Sequence, residues 1–436
     1  IEKRDVPGAV VGILHEGETR TAGFGVTNVD HPLPVTDETL FQIGSITKTF
    51  TATAMMRLVE MGKLELDATV RTYIPEFKVV DETASSQATI RHLLTHMGGW
   101  FGDFFHDTGA GDDALSKYVA DMADLEQLTP LGTHWSYNNA GFYLAGYVIE
   151  VVTGKSYEAA LRELVLEPLD LQHAFLDPGD VMTHRFAVGH RVTDEGVQVA
   201  RPWPLPRAAY SAGGITCSVH DLLDYARFHL GDGTAEDGTR LLKPESLSLM
   251  RTTQTTVWEG ETWGLAWGLK DVNGTRLVEH GGGTTGQVSL LTLVPEHNLA
   301  VAVFTNANRG GFVTREVTHW VLRHDLEIEV PKPEPIEASE DTLSAYVGRY
   351  RNPFSDTELG MLNGKLVAQV VYKRGFPAQD SPIPPAPPPM SLTLCEEDRL
   401  LILNGPLKDG TVDVLRKSDG SIGWIRAGGR ISKRQA

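Results

Sequence analysis

A serine hydroxyl three residues ahead of a lysine amine, Ser45-Ile46-Thr47-Lys48, is the first place in this chain where chemistry can be read. Positions i and i+3 share one face of a helix, so the Lys48 amine can reach the Ser45 hydroxyl. A serine hydroxyl is a poor nucleophile until a base takes its proton, and a desolvated lysine has a lowered pKa suited to that work. Gly44 permits close backbone approach at the helix N-terminus, where free N–H groups and the dipole favour a developing oxyanion. Serine and lysine also meet at this spacing by chance. Here they do so at the start of a stretch that is apolar or small nearly all round.

Two further groups strengthen the reading. In Trp135-Ser136-Tyr137-Asn138-Asn139 a phenol and an amide lie two residues apart, in a loop leading into an expected helix at 140–153. A phenolate can take a proton from serine or pass one to a leaving group, and an amide can hydrogen-bond substrate. In His280-Gly281-Gly282-Gly283 the glycines sit between two β-like stretches and permit close backbone approach to a ligand. The N–H of Gly283 is then a candidate second oxyanion donor beside that of Ser45. A tight turn is the plain alternative for that segment. A second Tyr-x-Asn, Tyr350 to Asn352, lacks the helix and serine-lysine context and reads as structural.

In this order and spacing, the three groups resemble the serine β-lactamase and penicillin-binding protein superfamily, with its S-x-x-K signature. The Tyr-x-Asn form is similar to that of class C β-lactamases, D,D-carboxypeptidases, family VIII esterases and D-aminopeptidases. Phe41 to Lys48, Leu93 to Met97, Tyr137 to Gly141 and Ala212 to Thr216 carry the same resemblance, which spans about residues 1–325. It implies Ser45 as nucleophile, Lys48 as its base and Tyr137 as proton relay. It places Asn139 on a substrate amide, His280, Gly282 and Gly283 along the substrate, and the Gly283 N–H on the oxyanion. Relatives with Lys-Thr-Gly carry a cation where this chain has His280. An unperturbed histidine is protonated only about a quarter of the time near pH 7. A site lacking the fixed cation holds a carboxylate poorly, which favours esters or uncharged amides over penicillins and peptides ending in D-Ala.

Other constellations carry less. His92 and His96 have the spacing of a zinc pair, but no Glu follows His92 and no third ligand is evident, so both read as structural and no metal is expected. Trp100, Phe101, Phe104 and Phe105 read as core, with an acyl pocket as the alternative. The G-x-S-x-G elbow of α/β-hydrolases does not occur.

These residues need elements to hold them. Residues 8–14 and 19–25 read as a hairpin, and 46–61 as a buried helix ended by Gly62. Helical patterns recur near 90–96, 113–127, 140–153, 156–166 and 219–230. From about Arg276 the texture turns β-like at 275–279, 288–294 and 299–305, followed by a helix over 312–323. The expected architecture is α/β: an antiparallel sheet flanked by helices plus an all-helical subdomain, over residues 1–328. Prolines alternate in Val330 to Ile336 and make 329–339 a semi-rigid linker. Residues 340–436 read as a small all-β domain similar to a lipocalin-like barrel, with Pro377–Pro389 as an exposed loop.

Composition bounds the partners. The 436 residues include 57 acidic and 39 basic side chains, a net charge of −18 that disfavours nucleic acid and anionic membranes. No run of about 18 apolar residues occurs. Cys217 and Cys395 read as isolated buried thiols. The chain starts at Ile1 with no signal-like segment, and neither compartment nor oligomeric state is legible. The expectation is a serine hydrolase that forms an acyl-enzyme on Ser45 from small esters, amides or peptides, without a cofactor. Penicillin-binding, D,D-peptidase or β-lactamase activity, and a slowly acylating receptor or scaffold, stand as alternatives.

Overall fold

A computed structural model of the chain describes residues 1–378, 380–405 and 407–435. Gln379, in the proline-rich loop, and Pro406 and Ala436, in the all-β module, lie outside the described residues. Gly8–His15 (β1) and Glu18–Gly25 (β2) form the expected antiparallel hairpin. Much later come Thr255–Trp258 (β3), Glu261–Trp263 (β4), Gly268–Val272 (β5), Thr275–Gly283 (β6), Val288–Val294 (β7) and Leu299–Thr305 (β8). All join one eight-stranded antiparallel sheet in the order β2-β1-β8-β7-β6-β5-β4-β3. The two ends of the region thus meet where β1 pairs with β8.

Alternation along the strands sends residues to two cores. Val10 and Leu14 join Leu291, Leu293 and Phe304 in the main core, while Val11 and Ile13 face Val301, Val303, Val321 and Leu322 on the other side. Helices cover both faces, so every residue of β8 is buried. Among the helices, Thr47–Glu60 (α1) and Ile90–Leu94 (α2) pack on Asn139–Thr153 (α3), while Val219–Leu230 (α4) lies on β1 and β8 and Gly310–Leu326 (α5) on β7 and β8. The first ten residues of α1 are all buried, polar ones included. Its threonines satisfy themselves by bonding back along the helix: Thr49 donates to Ile46 O at 2.8 Å and Thr53 to Thr49 O at 2.9 Å. No helix among the described residues is long and apolar enough to cross a membrane.

The last part of the chain closes an eight-stranded barrel: Gly348–Arg351 (β9), Ser355–Leu362 (β10), Lys365–Tyr372 (β11), Met390–Glu396 (β12), Arg399–Ile402 (β13), Thr411–Arg416 (β14), Ile422–Ala427 (β15) and Arg430–Arg434 (β16). Tyr350, Leu359, Leu366, Leu392, Leu400 and Ile425 pack its core. Ahead of it, the Ile336 N–H donates to Leu394 O at 2.7 Å, so the proline-rich segment ends docked on the barrel. Tyr350 and Asn352 are structural: the phenol donates to Tyr346 O, and the amide to Ile431 O and the Ser432 hydroxyl.

Several expectations shift. The sheet begins at Thr255 rather than near Arg276, because the short Trp- and charge-bearing strands β3 to β5 lack the apolar alternation that marks a strand. The stretch 113–127 divides into a helix over Ala114–Asp121, a turn, and extended backbone at Leu125. Both cysteines are free and buried.

The barrel is bonded to the rest through buried groups. Trp424 Nε1 donates to Leu128 O at 2.8 Å, and Arg399 pairs with Glu261 at 3.0 Å. Arg426, only 3% exposed, pairs with Asp413 at 2.8 Å and donates to Trp135 O at 3.1 Å. Asp413 also pairs with Arg399 at 3.1 Å, so removing Arg426 leaves that carboxylate one partner short and the Trp135 carbonyl without its donor. Arg426→Met is therefore expected to lose about 2 kcal/mol of stability in urea unfolding; a change under about 0.5 kcal/mol would show that these bonds carry no such cost.

Candidate active site

The serine stands at a close crossing of two backbones. Gly44–Ile46 is a short 3-10 turn running into α1, with Gly44 at φ 51°. A methyl group built on Gly44 would lie 2.6 Å from Gly283 N, and one on Gly282 would lie 1.8 Å from Ile43 O. Only glycine lets the turn and the end of β6 touch. The hydroxyl of Ser289 on β7 ties the crossing by donating to Ile43 O at 2.8 Å. In front of Gly283 the space is open. The segment is strand, not a tight turn: His280 to Gly283 pair with Leu291 to Val288 on one side. On the other side β5 stops pairing at Glu279, so 280–283 form a free edge among the described residues. That edge lines a cavity of about 840 Å³ together with Ser45, Tyr137 and Asn139.

Lys48 is fully buried on the first turn of α1. Its Nζ donates to Ser45 Oγ at 3.0 Å and to Ala212 O at 2.6 Å. It also lies 5.0 Å above the Tyr137 ring and 5.6 Å from that of Phe142. Burial, and then the Arg430 charge, push this amine well below the usual lysine range, against a smaller opposing pull from Asp103. The result is an amine whose neutral, proton-accepting form is favoured beside a hydroxyl.

Tyr137 closes the site from the loop before α3. Burial raises its phenol above the ordinary tyrosine range, while a hydrogen bond with Ser45 and the charge of Arg430 pull back. Its ring packs 4.3 Å from that of His96, and its N–H donates to Gly429 O at 2.8 Å in the β15–β16 turn of the barrel. The next residue holds the loop. Asn138 caps α3 by accepting from Gly141 N at 2.8 Å and donates from its amide to Trp100 O at 2.9 Å. His96 Nδ1 accepts the Asn138 N–H at 3.0 Å, whereas His92 closes the capping box of α2 at Thr89. Each histidine thus has its own structural bond. Asn139 opens α3 and donates to Asp103 Oδ1 at 2.7 Å, leaving its second N–H and its carbonyl oxygen for a ligand.

His280 carries no charge at neutral pH. Burial, followed by Lys48, lowers its pKa to about 3, and its Nδ1 bonds Gly281 O at 2.7 Å. The expectation of a site without a fixed cation is nevertheless wrong. Arg430, the first residue of β16, lies 4.6 Å over the Tyr137 ring and lines the cavity. Its Nε donates to Asp103 Oδ2 at 3.0 Å and its Nη1 to Gly428 O at 2.9 Å, while 42% of the side chain remains exposed. Although its protein surroundings disfavour charge, Asp103 and then Tyr137 hold its pKa above the ordinary arginine value. Nothing local in the sequence marks either residue, which stand 327 positions apart. The aromatic cluster divides too: Trp100 and Phe101 are buried in the core, and Phe105 lines the cavity.

A family model described as Beta-lactamase matches residues 1–324. The chain belongs to the beta-lactamase family. Penicillin-binding protein 4 of Amycolatopsis lactamdurans is 37% identical over 317 residues, covering 71% of this chain and 82% of that protein. The octameric penicillin-binding protein homologue from Pyrococcus abyssi superposes with a TM-score of 0.68 at 25% identity, covering 100% of this chain and 97% of the other. SurE, solved with D-Leu, shares the fold over 100% of this chain and 96% of its own, with a TM-score of 0.76 at 24% identity. As a member of the beta-lactamase family with such relatives, the chain is a serine hydrolase.

Its buried histidines give the fold a pH dependence. His96 and His229 are lowered well below the usual value, and His280 to about 3, each chiefly by burial. The unfolded chain binds protons at these residues below about pH 6.5 and the folded chain refuses them, so stability falls with pH in that window. Raised carboxylates such as Glu150, pushed up to about 7 by burial, act in the opposite direction, so the histidine share is read by comparison. Between about pH 6.5 and pH 5 the unfolding free energy of His229→Gln is expected to fall less steeply than that of the wild type, by on the order of 1 kcal/mol per pH unit. Equal slopes would contradict the assignment.

Proposed function

We propose that this hydrolase cleaves carboxylic esters or small amides and peptides by acylating Ser45 and hydrolysing the acyl-enzyme. The observation that carries the reading is the Lys48 amine, fully buried and 3.0 Å from the Ser45 hydroxyl. In its neutral form that amine takes the Ser45 proton as the oxygen attacks the substrate carbonyl. The new C–O bond forms, and the oxyanion faces the N–H groups of Ser45 and Gly283 at the glycine crossing. Collapse breaks the bond to the leaving group, which receives the proton by way of Tyr137. Arg430 over that ring favours negative charge on the phenol oxygen during the transfer. Water then attacks the acyl carbon, gives up a proton along the same path and releases Ser45. Asn139 and the free edge at His280, Gly282 and Gly283 offer an amide and main-chain groups along which the substrate lies. In this proposal residues 1–328 are the hydrolase unit, 329–339 the linker and 340–436 the barrel unit that supplies Arg430.

A second reading, acylation by penicillins, is favoured by that same guanidinium, a partly exposed cation able to meet a carboxylate. Intact mass after mixing with benzylpenicillin separates the two. A lasting adduct supports the second reading, and turnover of esters without an adduct supports the first.

For p-nitrophenyl esters, Lys48→Ala and Tyr137→Phe are each expected to lower kcat by about 10²–10⁴-fold. Unchanged turnover in either variant would remove that residue from the path. In the wild type, kcat/KM should rise through one ionisation well below that of free lysine and hold level to about pH 9, because the phenol stays protonated. An acid limb near pH 10 would show that Lys48 remains charged.

A further inference from the structure

The cavity that opens on Ser45 is larger than the reaction centre requires. About 840 Å³ is in the range of sites that enclose drug-sized ligands, whereas the carbonyl undergoing attack needs only the space beside Ser45 and Gly283. One part of its wall belongs to both structural units. Phe105, from the loop after α2, meets Phe376, from the loop between β11 and β12, with ring centroids 4.9 Å apart and nearly perpendicular at 81°. Phe354 lies 6.1 Å from Phe105 and 6.0 Å from Tyr372 at the end of β11. All four rings line the cavity and all are only half-buried. Edge-to-face rings at these separations form a firm apolar surface. Leaving them half open to the cavity forgoes the gain from covering them, which a ligand would recover.

The position of this wall relates it to the polar groups. Phe105 follows Asp103 by two residues, and Asp103 holds both Asn139 and Arg430. Phe354 follows Asn352 by two, and the Asn352 amide bonds Ile431 O and the Ser432 hydroxyl, directly after Arg430. Phe105 and Phe354 are thus chain neighbours of residues that hold the Asp103–Asn139–Arg430 cluster, and rings and cluster line one cavity. A substrate contacting Asn139 and Arg430 with a carbonyl or carboxylate would carry its neighbouring substituent onto them.

We infer that Phe105, Phe354, Tyr372 and Phe376 form a substrate subsite for an aromatic or large apolar group, built jointly by the hydrolase unit and the barrel. The inference rests on acylation of Ser45 and names the substrate class of that site: acyl donors with a bulky apolar substituent next to a hydrogen-bond acceptor. The group can arrive on the acyl part or on the leaving part of the substrate. In both cases the chemistry recognised is the same.

The test compares kcat/KM in two ester series. One keeps p-nitrophenol and varies the acyl group from acetyl to octanoyl and 3-phenylpropionyl. The other keeps acetyl and varies the alcohol from ethanol to 2-naphthylmethanol. Wild-type protein should prefer the bulky member at least about tenfold in one series, and Phe376→Ala should cut that ratio by about tenfold. The series that responds assigns the subsite to the acyl or the leaving side, and a response in either supports it. Phe354→Ala should act in the same direction. Because Phe354 also packs against the main core, Phe376→Ala, in a half-buried loop, is the decisive variant. Ratios near one in both series, or ratios unmoved in Phe376→Ala, would overturn the subsite while p-nitrophenyl acetate is still turned over. No turnover of any ester together with no labelling of Ser45 by a fluorophosphonate would instead overturn the Ser45 reading.

Discussion

A lysine amine held dry against a serine hydroxyl is the constraint around which this molecule is arranged. In water that amine would be an ammonium ion and useless as a base at neutral pH. Wholesale burial favours its neutral form here: the first ten residues of α1 face protein on every side, and the rings of Tyr137 and Phe142 lie against the amine. Asp103 attracts its proton only weakly, because Arg430 engages that carboxylate first. The two Lys48 bonds, to Ser45 and to Ala212 O, fix the amine without charging it. Burying a helix that contains Lys48 and four threonines costs polar desolvation, and the back-bonded hydroxyls meet most of that demand locally.

The same dry environment sets the protonation of everything near it. Tyr137 is pushed up and His280 is pushed down, so phenol and imidazole are both neutral and Arg430 is the cation at this end of the cavity. That cation comes from the barrel, which also holds the Tyr137 backbone through Gly429 O and supplies three of the four rings of the aromatic wall. The barrel is therefore a wall of the site. Ile425, which packs the barrel core, also lines the shared cavity, so that cavity reaches to the barrel's own packing residues.

How much of this was legible depended on whether neighbours in space were neighbours in sequence. Ser45 and Lys48 share one helical face, Tyr137 and Asn139 straddle a helix cap, and 280–283 run along one strand, so each group carries its own local signal. The hairpin, α1, α4, β7 and β8 followed from apolar periodicity for the same reason. Arg430 and Asp103 carried none, being joined only by folding across 327 positions. The loss of charge at His280 was likewise unreadable, since burial and not residue type decides it. Phe376 stands just ahead of the stretch 377–389 that composition marked as an exposed loop; 382–386 are exposed, but Pro377 is buried and Phe376 lines the cavity. Strands β3 to β5 escaped because short, half-buried strands without alternation resemble loops.

The most direct measurement is the rate and site of labelling by a fluorophosphonate, followed by intact mass and peptide mapping across pH. A neutral, buried Lys48 beside Ser45 predicts one label per chain, on Ser45, at a rate that persists to well below the pH at which a free lysine would be half ionised. Ser45→Ala should abolish the label with the fold retained. Modification at another residue, or a rate that climbs only as the pH nears that of free lysine, would contradict the account.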